Sequence, residues 1–221
     1  VNTEFRTNRV GVTPNTLNSE ELAPLRGATF AGNWIHSICN PETSKGGDIS
    51  DDGTRALTAS FDYSIGLWSL ADPAEPLWLE GHEAAVNTVL FLPDGRIVSG
   101  GDDFDLRLWD PATGQSQRLE GHKGKVMALT HSAEAGLIAS AAWDGWIGVW
   151  SDDGSLRTLL EGHRSNVNDV VFAEGGRLLY SASADGTIRA WDVAEGAQTR
   201  RVLSHGFGIN QLVINEAAGW L

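Results

Sequence analysis

The motif Leu-Glu-Gly-His occurs three times and brings together side chains that could perform covalent chemistry. Its histidines, His82, His122 and His163, are each followed by a serine and then an aspartate at similar distances. Hydrolases use this combination to activate a nucleophile. A catalytic site, however, needs one pocket with an oxyanion hole and an accessible nucleophile, and no Gly-x-Ser-x-Gly motif accompanies these residues. Their repetition therefore favours a structural device used three times over three catalytic triads.

A repeat of 41 residues explains this spacing. Tryptophans recur at that interval, an aspartate stands six residues before each one, and a serine or threonine stands four residues before each aspartate. The tryptophans are Trp68, Trp109, Trp150 and Trp191; the aspartates are Asp62, Asp103, Asp144 and Asp185; the hydroxyl residues are Thr58, Ser99, Ser140 and Ser181. Such agreement in phase is the signature of a repeat architecture.

The texture within each repeat is that of β-structure. The stretch AVNTVLFLPDGRIVSG reads as strand, Pro-Asp-Gly turn and strand, and FDLRLWD alternates at a period of two residues. A further turn and short strand follow in PATGQSQRL. Four strands in about 41 residues predict one blade of a β-propeller per repeat.

The pattern Gly-His, Asp and Trp-Asp resembles the WD40 repeat. Gly81-His82, Asp103 and Trp109-Asp110 fit its signature, and a second full match is Gly162-His163, Asp185 and Trp191-Asp192. The resemblance, of bacterial type, implies an all-β WD40-type propeller over residues 27–221. We expect four four-stranded blades ending near the four repeat tryptophans, a partial fifth unit at 203–221, and an incomplete ring.

In WD40 proteins the histidine, hydroxyl residue, aspartate and tryptophan of a blade form one hydrogen-bonded network. The resemblance assigns this role to three sets here: His82, Ser99, Asp103 and Trp109; His122, Ser140, Asp144 and Trp150; and His163, Ser181, Asp185 and Trp191. A buried aspartate needs donors and a buried indole N–H needs an acceptor, so the network is physically reasonable. The first unit keeps Thr58, Asp62 and Trp68 but lacks the histidine.

The two ends of the chain depart from the repeat. Residues 1–26 are polar and patternless, a tail or a strand of uncertain role. We place the first strand of the first unit at Trp34–Cys39, with Ala31 where the histidine should be and a loop over residues 40–53. At the other end the chain stops inside a strand of the fifth unit. A truncated product, a fragment of a longer protein, and a ring completed by a further chain or segment are all consistent with this.

The resemblance predicts a non-catalytic scaffold that binds a protein or peptide. WD40 partners contact three positions per blade, located three and five residues after the histidine and one residue before the turn aspartate. The positions here are Trp34, His36 and Phe61; Ala85, Asn87 and Asp102; Lys125, Met127 and Trp143; and Asn166, Asn168 and Ala184.

The third set is the most informative of these. It combines the chain's only methionine with a lysine and Trp143, a tryptophan outside the repeat positions, as is Trp146. Such an aromatic is either a packing residue between blades or an exposed anchor of the type found in binding hot spots. We predict that the partner docks near Lys125, Met127 and Trp143, with Asp102 at the rim.

Composition argues against several other functions. The net charge of −13 repels phosphate backbones, so we expect no nucleic-acid partner. Cys39 is the only cysteine, and no metal-ligand or haem-attachment spacing is present, so we expect no metal and no cofactor. We expect no membrane insertion and a cytoplasmic location, or a periplasmic one if a leader was removed. Two alternatives remain: a propeller enzyme with a site in the central channel, and a truncated fragment without independent function.

Overall fold

The protein is built almost entirely from β-strands. The structure, a computed structural model, describes residues 44–72, 76–204, 206–212 and 214. Within these ranges sixteen strands form four four-stranded sheets, and the only helical element is a 3₁₀ turn at Glu174–Gly176. Each sheet consists of four strands that follow one another in the sequence. This confirms the prediction of an all-β fold with four four-stranded blades.

The four sheets are called blades one to four. Blade one contains β1 (Ser44–Ile49), β2 (Arg55–Ser60), β3 (Ser64–Ser69) and β4 (Leu77–Glu80). Blade two contains β5 (Val86–Phe91), β6 (Ile97–Gly101), β7 (Leu106–Asp110) and β8 (Gln115–Leu119). Blade three contains β9 (Val126–Ser132), β10 (Leu137–Ala142), β11 (Ile147–Ser151) and β12 (Leu156–Leu160). Blade four contains β13 (Val167–Ala173), β14 (Leu178–Ser183), β15 (Thr187–Asp192) and β16 (Ala197–Ser204).

The first strand of blade one lies elsewhere than the sequence suggested. Trp34–Cys39 and Ala31 lie outside the described residues, but β1 occupies Ser44–Ile49, within the stretch expected to be a loop, and pairs antiparallel with β2. The reason is a close tertiary approach that strand propensity does not report. A Cβ added at Gly46 would lie 2.8 Å from the carbonyl oxygen of Asn87, so this glycine lets the β1 backbone pack directly against β5.

The described chain divides into two compact units. Unit one comprises the described residues up to Ser99 together with Trp109–Ser116, and unit two comprises Gly100–Leu108 and the described residues from Gln117 onward. The core of unit one is aliphatic, with one repeat tryptophan. It contains Leu57, Ala59, Ile65, Leu79, Val86, Val89, Ile97 and Trp109.

The main core of unit two is formed by strands of blades three and four. It contains Ala128, Ala139, Ala141, Ile147, Val149, Leu160, Val167, Val170, Leu179 and Trp191. The second strand of each blade carries small residues, as in the Ala-Ser-Ala-Ala end of β10, which is completely buried. Small side chains there leave room for the large repeat tryptophan of the same blade.

The segment after β16 lies along blade four. The strand β16 extends to Ser204. Further on, the N–H of Ile209 donates to the carbonyl of Ser183 at 3.0 Å, and the N–H of Leu212 donates to Oδ2 of Asp169 at 2.7 Å. The side chains of Leu212 and Ile214 pack beside Tyr180 and its neighbours.

Candidate protein-binding site

Blade three shows the repeat network in full. Nδ1 of His122 lies 2.9 Å from Oδ2 of Asp144, and Nε2 lies 2.8 Å from Oγ of Ser140. The indole N–H of Trp150 donates to the same hydroxyl at 2.9 Å. Since an ionised carboxylate can only accept, the imidazole of His122 donates from Nδ1 to Asp144.

Blade four has the same network with an additional basic residue. Nδ1 of His163 lies 2.9 Å from Asp185 and Nε2 lies 2.7 Å from Ser181, which also accepts from Trp191 at 2.8 Å. The buried Arg189 adds a guanidinium nitrogen 3.3 Å from Oδ2 of Asp185. Blade four thus supplies its turn aspartate with both an imidazole and a guanidinium.

The turn aspartates of blades three and four both have a pKa below the usual aspartate value. Burial raises the pKa of Asp144, but hydrogen bonds from His122 and the Lys123 N–H outweigh it, so the pKa lies below the usual aspartate value. The same opposition of burial and hydrogen bonding holds the pKa of Asp185 far below its usual range. Burial lowers the pKa of His163 below 6.5 although Asp185 favours the charged ring. The blade-four pair is therefore a neutral imidazole beside an ionised carboxylate near neutral pH.

This arrangement has the connectivity of a nucleophile triad but no access for a substrate. The hydroxyls of Ser99, Ser140 and Ser181 belong to residues that are 0% exposed, and each accepts a hydrogen bond from a tryptophan. An attacking oxygen must reach its substrate, which a fully enclosed hydroxyl cannot do. In blades three and four these hydrogen bonds connect the turn aspartate, through the histidine, to the second strand of the blade.

Blades one and two carry related contacts. In blade two, His82 and Trp109 both reach the hydroxyl of Ser99, at 2.7 and 2.8 Å. In blade one the indole of Trp68 donates to Thr58 at 2.9 Å. The blade-one aspartate, Asp62, lies exposed and is bonded by Ser64.

Lys125 contacts both Asp102 and Trp143 in unit two. These three residues and Met127 are here called the Trp143 face. The ammonium of Lys125 lies 2.5 Å from Oδ2 of Asp102 and 5.4 Å from the centre of the Trp143 ring. The N–H of Trp143 donates to the carbonyl of Lys125 at 2.9 Å. Trp143 nevertheless remains 42% exposed, so its ring is braced on one side and open on the other.

A second lysine–tryptophan pair lies beside the first. Nζ of Lys123 is 5.0 Å from the ring centre of Trp146, which is half-buried. The tight turn at Asp144-Gly145 separates the two tryptophans, and Gly145 adopts the left-handed backbone that this turn requires, with φ of 85°. Both indoles are thus held by a lysine from the loop that follows β8.

The other predicted contact residues fall into three groups. Phe61 and Ala184 are exposed, and Met127, Asn166 and Asn168 are half-buried. Asn168 also donates to the carbonyl of Ile209 at 3.0 Å. By contrast, Ala85 and Asn87 are buried, at 7% and 4% exposure, because β5 packs closely against β1.

The predicted positions in blade one need a different alignment. Trp34 and His36 lie outside the described residues. The register pairs Ser44 with Ser60 in blade one and Val126 with Ala142 in blade three. Lys45 is therefore the position equivalent to Met127.

Two exposed aromatic residues were missed by the sequence reasoning. Tyr63 and Phe104 follow the turn aspartates of blades one and two, and both have left-handed backbones, with φ of 78° and 73°. Blades three and four have glycine at this position, and a side chain there carries conformational strain. The signal available in the sequence was the replacement of Asp-Gly by Asp-Tyr and Asp-Phe in the repeat. Phe104 adds a 43% exposed ring two residues from Asp102.

In the part of the chain that the structure describes, no group of three or more His, Cys, Asp and Glu side chains could hold a metal ion. No helix within the described ranges has the length and apolar character needed to cross a membrane.

Comparison with known proteins agrees with this fold. The family model for the WD domain, G-beta repeat, matches residues 76–110, 114–151 and 154–192. Several relatives are called ribosome biogenesis protein YTM1. The one from Meyerozyma guilliermondii is 30% identical over 149 residues, which is 61% of this chain and 33% of the relative. Those from Candida glabrata and Candida albicans are 26% and 31% identical, covering 67% and 53% of this chain and 36% and 29% of the relatives.

Two facts qualify the comparison. The chain spans about a third of the length of the curated relatives it matches. Those relatives are eukaryotic, so they do not support the resemblance to bacterial WD40 proteins.

Proposed function

Because the chain belongs to the WD40 repeat family, we propose that it is a non-catalytic scaffold whose Trp143 face docks a protein or peptide partner. The observation that carries this proposal is the exposed, braced ring of Trp143, beside the half-buried Met127 and the Lys125–Asp102 pair. Tryptophan is among the residues that dominate binding energy at protein interfaces.

Bracing makes the Trp143 face an effective anchor. Binding requires that mobile side chains become ordered, and a ring that is already held loses little freedom when a partner arrives. The backbone hydrogen bond to Lys125 and the ammonium against the ring hold Trp143 in place before binding. Met127, which adapts to irregular surfaces, lies on the neighbouring strand and suits a partner with an apolar anchor residue.

The charges around this face favour a particular kind of partner. Asp102 neutralises Lys125 directly, so the centre of the face is aromatic and close to neutral. The chain as a whole carries a net charge of −13, which attracts basic proteins at long range. We therefore expect a basic partner that inserts an apolar residue against Trp143.

The names of the relatives suggest a process in which to look for this partner. They are called ribosome biogenesis proteins, and the chain matches part of their length. Under this proposal the partner is a protein component of assembling ribosomes, and the chain contributes a rigid binding platform.

The test is an affinity measurement with matched variants. Proteins captured by the wild-type chain from ribosome-assembly fractions would be identified, and the purified partner titrated by calorimetry against Trp143→Ala and Leu156→Ala. Leu156 is equally exposed, at 42%, but lies on β12 away from the cluster. We expect Trp143→Ala to weaken binding by about 2 kcal/mol or more while Leu156→Ala leaves it unchanged. Equal affinities for all three proteins, with unchanged melting curves, would refute this docking face.

A further inference from the structure

Blade one contains an open pocket beside its turn, where the other blades place a histidine or an arginine. The pocket lies beside the exposed turn aspartate Asp62, has a volume of about 290 Å³ and is lined by Asp62, Ser64, Trp78 and Glu80. We call these four residues the blade-one pocket. In blades three and four the equivalent aspartates each accept a hydrogen bond from a histidine, at 2.9 Å.

Blade two shows which chemical group fits this place. Arg118 occupies the position equivalent to Trp78, one residue before Leu119 as Trp78 is before Leu79. Its Nε lies 2.6 Å from Asp105, and its Nη1 lies 3.7 Å from Glu120. Counted from the turn aspartate and from the Leu-Glu-Gly-His motif, Asp105 and Glu120 are the equivalents of Ser64 and Glu80.

Blade four brings a guanidinium to the turn aspartate from a different strand. Arg189 on β15 reaches Asp185, the equivalent of Asp62. The blade-one equivalent of Arg189 is Gly66 on β3. A Cβ at Gly66 would lie 2.7 Å from the indole nitrogen of Trp68. The indole of Trp68 therefore excludes an arginine of the same strand, and the blade-one pocket stays open.

The aromatic wall of the blade-one pocket is also accessible. Trp78 is 49% exposed and meets Trp68 edge-to-face, with ring centres 5.8 Å apart. Trp68 itself is only half-buried, whereas Trp109, Trp150 and Trp191 are each 1% exposed. An exposed indole beside carboxylates is a favourable surface for a cation.

The acidic groups of the pocket are free to receive a positive charge. Burial raises the pKa of Asp62, but hydrogen bonds from Ser64 and Ser60 outweigh this effect and hold the pKa below its usual value. Within the described ranges the structure shows no ion pair to Asp62 or Glu80, although Glu120 has Arg118 close by. Among the described residues no group of three or more His, Cys, Asp and Glu side chains could hold a metal ion, and the exposed ring of Trp78 favours an organic cation.

We propose that the blade-one pocket binds an arginine side chain of the partner protein, with the guanidinium between Asp62 and Glu80 and its flat face on Trp78. A guanidinium fits better than an ammonium because its planar array of donors can serve two carboxylates while it stacks on an aromatic ring. The inference rests on the proposed protein-binding function and names one chemical feature of the partner. It concerns residues other than the Trp143 face.

The experiment uses a small probe and the full chain. N-acetyl-arginine-methylamide is titrated into the ¹⁵N-labelled protein while the indole N–H signals of Trp78 and Trp68 are followed by NMR. The citrulline analogue, which has nearly the same shape but no charge, serves as the control ligand. We expect saturable shifts of both signals with arginine and none with citrulline.

Variants then locate the site. Glu80→Gln and Trp78→Leu should each weaken arginine binding by about tenfold. Glu120→Gln in blade two should leave arginine binding unchanged, because Arg118 of the chain itself already lies 3.7 Å from the Glu120 carboxylate. Trp143→Ala should also leave the titration unchanged, so failure of the Trp143 face and failure of this pocket are distinguishable.

Three results would overturn the proposal. The first is an absence of shifts at Trp78 in the wild-type chain, and the second is undiminished binding by Glu80→Gln. The third is arginine binding that emerges only after Arg6, Arg9 and Arg26 are replaced by alanine. That result would identify the occupant as the chain's own N-terminal segment instead of a partner.

Discussion

Replacing His122 by alanine tests the structural role of the repeat network. The ring of His122 is fully enclosed and bonds Ser140 on one side and Asp144 on the other. In the alanine variant Ser140 keeps its bond from Trp150, and Asp144 keeps the N–H groups of Lys123 and Trp146. No polar group is left wholly without a partner, so the loss is limited to two hydrogen bonds and the packing of the ring.

Those losses amount to about 1–3 kcal/mol of unfolding free energy. For a domain of this size, 2 kcal/mol corresponds to a fall in Tm of roughly 4–8 °C. Urea unfolding followed by circular dichroism and tryptophan fluorescence gives both the free energy and a check on two-state behaviour. A suitable control is His131→Ala, since this histidine lies outside the repeat and makes a single contact of 2.9 Å with Asp152. We expect the control to lose less than His122→Ala does, because it removes one of these hydrogen bonds where His122→Ala removes two.

The reasoning would be refuted if His122→Ala unfolded at the same urea concentration as the wild-type protein. It would equally be refuted if this variant lost partner binding while its unfolding curve stayed the same, because the histidine would then act on the ligand and not on the fold.

Three further predictions concern other parts of the chain. Gly148→Ala should destabilise the fold by about 2 kcal/mol, since the new Cβ would lie 2.6 Å from the indole nitrogen of Trp150, whereas Gly206→Ala, with open space around it, should have little effect in the same urea titration. Burial raises the pKa of Asp169 to about 6 despite N–H donors from Leu212 and Val170. This folded pKa lies above the unfolded one. The contribution of Asp169 to stability is therefore present below about pH 4 and lost as the pH rises through 6. Unfolding free energies measured from pH 4.5 to 7.5 should therefore fall relative to those of Asp169→Asn, and parallel curves would contradict this. Lys125→Met should weaken partner binding about threefold, which is less than the effect of Trp143→Ala. The reason is that methionine keeps the apolar stem of the lysine but loses the charge over the ring. A loss of affinity as large as that of Trp143→Ala would show that the charge, and not the ring, dominates binding at the Trp143 face.

Much of the blade architecture could be predicted because it depends on local repetition. The 41-residue spacing of tryptophan, aspartate and hydroxyl residues places each of them at the same point of its blade, and the turn of each blade follows from the residues around the aspartate. In blades three and four, the hydrogen bonds run between the residues that the spacing named. The nearness of Lys125 and Trp143 likewise follows from counting positions within the repeat.

Features that depend on neighbouring strands could not be predicted in this way. The sequence Ser-Lys-Gly-Gly-Asp-Ile has weak strand propensity, yet it forms β1, where Gly46 fits against the backbone of β5. The same approach buries Asn87, which counting alone had assigned to a binding surface. Tertiary packing decided both outcomes.

The blade-one pocket was missed for a different reason. It results from what blade one lacks: Trp78 stands where blade two has Arg118, and Gly66 stands where blade four has Arg189. A repeat consensus directs attention to the residues that match it. The pocket becomes apparent when the residues beside the turn aspartate are compared between blades.

The most direct test of the Trp143 face is hydrogen–deuterium exchange of the chain with and without its purified partner. We predict that binding slows exchange in the loop before β9 and in the turn between β10 and β11, residues 123–127 and 142–147, while the outer strand β12 exchanges at its free rate. Protection confined to β12 or to other outer strands, with residues 142–147 unchanged, would show that the partner docks elsewhere.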